Sequence, residues 1–166
     1  MSFSYGNDGG AAALSDLSLT IARGQTVAVI SRTSAGVNSV SYVLEDHQGS
    51  GAVLLNSSGS SLVKESFSAF GAARNGSTWS GVVPSGDQGL IAGISRRGYT
   101  GHSMLGAMGL THMNGRVQDA ITGRFLSPDP YTTEPGNTQG FNRYAYVNNN
   151  PLSYVDPSGF ECQGDD

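Results

Sequence analysis

Apolar and polar residues alternate in short runs through the first half of the chain, with the period of a strand rather than a helix. Gln25-Thr-Val-Ala-Val-Ile-Ser31 and Ser39-Val-Ser-Tyr-Val-Leu44 are β-branched and aromatic, and Ser34-Ala-Gly-Val-Asn38 separates them. The pair reads as a β-hairpin. A second pair follows, Gly51-Ala-Val-Leu-Leu55 and Ser61-Leu-Val-Lys-Glu-Ser-Phe67, joined by Asn56-Ser-Ser-Gly-Ser60. Gly59 there can take the positive φ of a tight turn. Neither hairpin is stable alone, so further strands must cover the apolar faces.

Between Gly71 and Leu90 breakers dominate, which predicts a surface loop anchored by Trp79. A short helix fits Ser103 to Leu110, weakened by Gly106 and Gly109 at about 1 kcal/mol each relative to Ala. Phe141 to Pro151 reads as an aromatic strand between two Asp-Pro turns, Asp129-Pro130 and Asp156-Pro157. Tyr144 and Tyr146 then alternate as core or cross-strand partners. Asn148-Asn-Asn150 before Pro151 suits a turn that tolerates left-handed backbone. The fold class is all-β, built of consecutive antiparallel hairpins.

Composition sharpens this reading. Of 166 residues 24 are glycine, 13% are charged and 37% are hydrophobic, which describes short strands, tight turns and a thin core. Such a chain is not expected to be a complete, independently stable domain, and is expected to self-associate through strand edges when isolated. Net charge is −4 and Lys64 is the single lysine, which argues against tracking a nucleic-acid backbone. Cys162 is the sole cysteine, so no internal disulfide forms and its thiol is expected to be inert. No run approaches the roughly 20 apolar residues of a membrane span, and the N-terminus lacks the basic and apolar regions of a signal peptide. Export would fall to a longer parent protein or a dedicated secretion system.

Most signatures of chemistry are missing. His47, His102 and His112 lack metal-ligand spacing, and no phosphate or dinucleotide loop occurs, so neither a metal nor a cofactor is expected. Gly101-His-Ser-Met-Leu105 falls one glycine short of a nucleophile elbow and reads as a turn. There remain Asp129, Asp156 and Arg116. Two carboxylates can divide the work of aspartyl hydrolysis, one activating water and the other serving as acid. Asp before Pro is equally a common turn starter. Spacing alone leaves both readings open.

The end of the chain resembles a known family. Gly123-Arg-Phe-Leu-Ser-Pro-Asp-Pro130, Phe141-Asn-Arg-Tyr-Ala-Tyr-Val-Asn-Asn-Asn-Pro151 and Tyr154-Val-Asp-Pro-Ser-Gly-Phe160 are similar, in order, to the end of the core of rearrangement-hotspot (Rhs, YD-repeat) proteins. Upstream, Gly98-Tyr-Thr-Gly101 leading to Arg116-Val-Gln-Asp119 resembles the same core. Tyr42 to Ser50 and Lys64 to Gly71 resemble the strand-turn units before it. The likeness covers residues 25 to about 160 and leaves 1–24 unassigned. It divides the chain into hairpin repeats at 25–96, a core motif at 97–160 and a tail at 161–166.

The resemblance implies a β-shell that encloses a toxic C-terminal segment, with its end curled inward as a plug. It also implies self-cleavage after the Asp-Pro-x-Gly-Leu block, between Phe160 and Glu161, by Asp129, Asp156 and Arg116. An isolated piece of such a shell is expected to be inactive. The expected partners are the upstream shell and the enclosed segment. Phe160 stands where the family has Leu, and the interval between the aspartates is about four residues longer, in the loop Tyr131 to Gly140. A loop absorbs such an insertion at little entropic cost. Related YD repeats occur in adhesive proteins, so a non-catalytic structural or carbohydrate-interacting surface module is the alternative.

Overall fold

The structure, a computed structural model, describes residues 26–34, 37–131 and 138–164. The segment 1–24 and most of the lengthened loop lie outside these residues. The first half is a five-stranded antiparallel meander, each strand beside its sequence neighbour. Its strands are β1 Thr26–Ser34, β2 Val37–Glu45, β3 Gly51–Leu55, β4 Ser61–Phe67 and β5 Ala73–Asn75.

One turn design repeats between these strands. Asp46, Asn56 and Ser68 each use their main-chain N–H and C=O to close a five-residue loop, with Gly49, Gly59 and Gly71 at φ 75°, 78° and 88°. The side-chain oxygens of all three accept N–H groups from within their own loops. A side chain at the glycine position would be strained, so the glycine is fixed by backbone geometry. At Gly71 space excludes it too, since a Cβ would lie 2.5 Å from the Tyr99 ring.

Val43, Leu54 and Val63 on the meander form an aliphatic core, against which Ile91 and Ile94 pack. Those isoleucines lie on α1, Ser85–Ile94, which contains three glycines and has no side-chain cap. Its packing on the sheet outweighs its poor intrinsic propensity. The expected loop from Gly71 to Leu90 is therefore corrected: it holds β5 and the first part of α1. Trp79 anchors nothing, being 67% exposed.

A second sheet contains β6 Ser103–Leu105, β7 Leu110–Met113, β8 Arg116–Asp119 and β9 Arg124–Phe125, in that order and antiparallel. The helix expected over Ser103 to Leu110 is instead a hairpin whose link, Gly106–Met108, is a single 3-10 turn closed by left-handed Gly109. Its glycines suit the turn and would weaken a helix. The stretch from Phe141 to Pro151 is likewise not a strand. It makes one bridge, Arg124 to Ala145, and then a turn in which Val147, Asn148 and Asn149 all have positive φ. Tyr146 is fully buried, whereas Tyr144 is 43% exposed. Tyr99, Met113, Phe125, Tyr146 and Val147 build the second core, which Phe67 and Phe70 join to the meander. Gln163–Gly164, β11 within the expected tail, pairs with Tyr154–Val155, β10. The observed all-β architecture, with one α-helix among the described residues, agrees with the reading from sequence.

Candidate functional site

Arg116 opens β8, where alternation turns its side chain inward beside the aromatic core. Its guanidinium carbon lies 3.6 Å from the centroid of Phe125 and 5.5 Å from that of Phe160. Stacking of this kind suits the flat, weakly hydrated guanidinium better than an ammonium. Arg116, Asp129 and Asp156 are 6%, 6% and 2% exposed. Arginine is rarely buried so fully without partners.

Those partners are the two sequence-nominated aspartates. Nη2 of Arg116 lies 3.1 Å from Oδ2 of Asp129 and 3.4 Å from Oδ2 of Asp156. The carboxylates, 27 residues apart in the chain, thus meet at one nitrogen. Nε donates to the carbonyl of Gly159, and Nη1 donates to that of Arg143 at 3.2 Å. These bonds leave one Nη1 hydrogen uncommitted among the described residues.

Each aspartate also organises the turn that carries it. Oδ1 of Asp129 accepts from the Tyr131 N–H at 2.8 Å, and the main-chain N–H of Asp129 donates to Arg143. Oδ1 of Asp156 accepts three successive N–H groups, from Gly159 at 2.8 Å, Phe160 at 2.9 Å and Glu161 at 3.1 Å. The nitrogen of the expected scissile bond is therefore in contact with Asp156. Burial raises the pKa of Asp156, against the opposing pull of Arg116 and these N–H groups. Burial also lowers the pKa of Arg116, while the two carboxylates favour its charge.

The terminal turn is pressed onto the β7–β8 turn. The N–H of Gly115 donates to Ser158 at 2.9 Å, and Nδ2 of Asn114 donates to Pro157 at 2.8 Å. A Cβ on Gly159, whose φ is 79°, would lie 2.0 Å from the carbonyl oxygen of Met113. A small cavity of about 30 Å³ borders Arg116, Asp129, Asp156, Asn148, Phe160 and Cys162. One water needs on the order of 10–15 Å³ on this measure, so a water fits beside both carboxylates.

Sequence reasoning missed His102 as a supporting residue. It is buried, and its Nε2 lies 2.9 Å from the carbonyl oxygen of Asp156. A carbonyl only accepts, so the proton sits on Nε2. Burial lowers the pKa of His102. The near-elbow motif from Gly101 to Leu105 contained this histidine, yet nothing local linked it to Asp156. Ser103 begins β6 and is exposed, away from any strand-turn-helix elbow.

The chain matches no protein-family model. Over 65 residues, 39% of its length, it is 38% identical to the tRNA nuclease WapA of Bacillus subtilis and to the tRNA3(Ser)-specific nuclease WapA of Bacillus spizizenii. It spans 3% of each of those proteins. Its fold is similar to that of a TcdB2-TccC3 crystal structure, with TM-score 0.55 and 23% identity over 82% of this chain and 7% of that one. TcdB2-TccC3 without its hypervariable C-terminal region gives TM-score 0.53 and 25% identity, with the same coverage. The Photorhabdus luminescens Tc holotoxin pore carrying a mutated TccC3 gives TM-score 0.52 and 24% identity over 82% of this chain and 6% of that one.

Proposed function

We propose that this chain is the end of an Rhs-type toxin shell, and that Asp129, Asp156 and Arg116 form an aspartyl autoprotease that cuts between Phe160 and Glu161. The observation that carries the reading is the contact of the Glu161 N–H with Asp156, inside a buried cluster that also holds Asp129 and room for a water. The similarity to toxin-complex structures and toxin-like nucleases supports a longer parent whose shell holds a downstream segment, exported with that parent. An inward-curled plug is the part of that shell this region would form.

The chemistry follows from the contacts. Water in the cavity attacks the Phe160 carbonyl carbon as Asp129 takes its proton, forming a C–O bond and a tetrahedral oxyanion. The uncommitted Nη1 hydrogen of Arg116 is the donor available to that oxyanion. As the Glu161 nitrogen becomes pyramidal it turns from donor to acceptor, and a protonated Asp156 delivers its proton there. The C–N bond breaks, leaving an amine on Glu161 and a carboxylic acid on Phe160, whose proton passes to the ionised Asp156. The raised pKa of Asp156 suits the acid role.

Intact mass is the test, applied to the folded chain joined to its upstream shell. Loss of everything after Phe160, abolished by Asp129→Asn, Asp156→Asn or Arg116→Ala, supports the proposal. Arg124 is exposed on β9, so Arg124→Ala should leave substantial cleavage. Full retention of the downstream segment in folded protein overturns it. A non-catalytic clasp is the second reading, favoured by the commitment of most Arg116 N–H groups to structural carbonyls and carboxylates. That clasp would suit a structural or carbohydrate-interacting surface module, and it predicts an uncut protein that Arg116→Ala destabilises.

A further inference from the structure

The seat of Phe160 is made by a missing side chain. Gly115 lies in the β7–β8 turn, and a Cβ there would come within 2.1 Å of Cε2 and 2.6 Å of Cδ2 and Cζ of the Phe160 ring. These are the three atoms nearest that position. Gly115 is not among the residues with left-handed backbone, so a positive φ is not what keeps a side chain out. What excludes a side chain is the ring. Arg116 lies on the same ring, with its guanidinium carbon 5.5 Å from the centroid.

The chain beyond the bond is held differently. Val155 pairs with Gln163 and Tyr154 with Gly164 through the β10–β11 ladder, while residues 161–164 are exposed. A ladder recognises main chain and is indifferent to most side chains. The two sides of the bond thus differ in what they can select.

We propose that Gly115 is the specificity-determining position of the site: lacking a side chain, it admits an aromatic residue before the scissile bond, while the residues after the bond are accepted through main-chain pairing. This rests on the proteolytic reading above. The substrate class is a large planar side chain followed by any segment able to add a short strand. Phe160 and Gly115 then form a matched pair. Alanine at 115 would call for a smaller, rotatable aliphatic group at 160.

The test is a two-by-two set in the full-length shell-bearing protein: wild type, G115A, F160L and the double variant, with cleavage followed by mass spectrometry after refolding. Overpacking the ring should make G115A at least about tenfold slower than wild type. F160L should cut more slowly than wild type because leucine leaves the seat part-empty, and adding G115A to it should cost little more. Unfolding of G115A with a folded, cutting double variant carries the same meaning, because compensation is what the matched pair requires. Equal slowing by G115A in both backgrounds, or none in either, overturns the specificity role while leaving the protease standing. An uncut wild type overturns the protease and the specificity role with it. In that case mismatched melting temperatures across the set would report packing alone.

Discussion

The two halves of the molecule are held by different physics. The meander closes on Val43, Leu54 and Val63, aliphatic side chains whose places follow from strand alternation. The C-terminal half closes on aromatic rings, with Tyr146 at 6.0 Å from Tyr99 and 5.9 Å from Phe125 between centroids, and on a buried cation. Its strands are two to four residues long, too short to stand on ladder bonds alone. Side-chain to main-chain bonds take over, from Arg116, Asp156, Asn114 and His102. A nonspecific apolar surface suffices to keep a sheet in place, but a single peptide is held in one geometry only by directional contacts.

The sharpest way to break this contrast is Arg116→Ala. It leaves two buried carboxylates without their cation and frees the Gly159 carbonyl, a loss of about 3–5 kcal/mol. Hydrogen exchange should show the amides of β7, β8 and the terminal turn losing protection while β2 to β4 keep theirs. Simultaneous loss in both halves would show one cooperative unit. The reciprocal variant is Leu54→Ala, in which a fully buried side chain of the meander is cut back at a cost of about 2–5 kcal/mol. Protection should then fall first in β2 to β4, and the midpoint of denaturation should shift without loss of the arginine cluster. Unchanged protection there would remove Leu54 from the core.

The same contrast explains what was legible from sequence. β3 and β4 were readable to the residue because alternation and the Asn56 to Ser60 turn are local signals. The turns at Asp46 and Ser68 carry the same device, a polar residue followed three positions later by glycine. α1 was not legible: Gly86, Gly89 and Gly93 argue against it, and only the contact of Ile91 and Ile94 with the meander rescues it. In the C-terminal half the meeting of Arg116, Asp129 and Asp156 depends on contacts 13 and 40 residues apart, which no period encodes. Family resemblance nominated those three. It did not nominate Gly115 or His102, whose roles depend on what lies across a turn.

The smallest effect sharpens the contrast through pH. Glu65 lies on β4, paired with Asn75 of β5, and its Oε2 is buried without a hydrogen-bond partner among the described residues. A Cβ on Gly51 would stand 2.7 Å from that oxygen, so the sheet encloses it closely. Burial raises its pKa from 4.5 to about 7. The folded state then binds this proton more tightly than the unfolded state. The stabilisation is complete below pH 4.5 and is lost as pH rises through about 7. One proton limits the slope to about 1.4 kcal/mol per pH unit, and the partial exposure of Glu65 reduces it further. Asp156, also raised by burial, contributes with the same sign from the C-terminal half, starting from 3.8. With its pKa lowered by burial, His102 works in the opposite direction as pH rises towards 6.5, so the share of Glu65 is read in thermal melts between pH 4.5 and 8 as the wild-type slope minus that of Glu65→Gln. That difference should be a fall in midpoint with rising pH; the corresponding difference for Asp156→Asn should have the same sign, chiefly at the acid end. An unchanged slope in Glu65→Gln would mean that this carboxylate is solvated in the folded sheet, and would place the whole pH response in the half that carries the arginine.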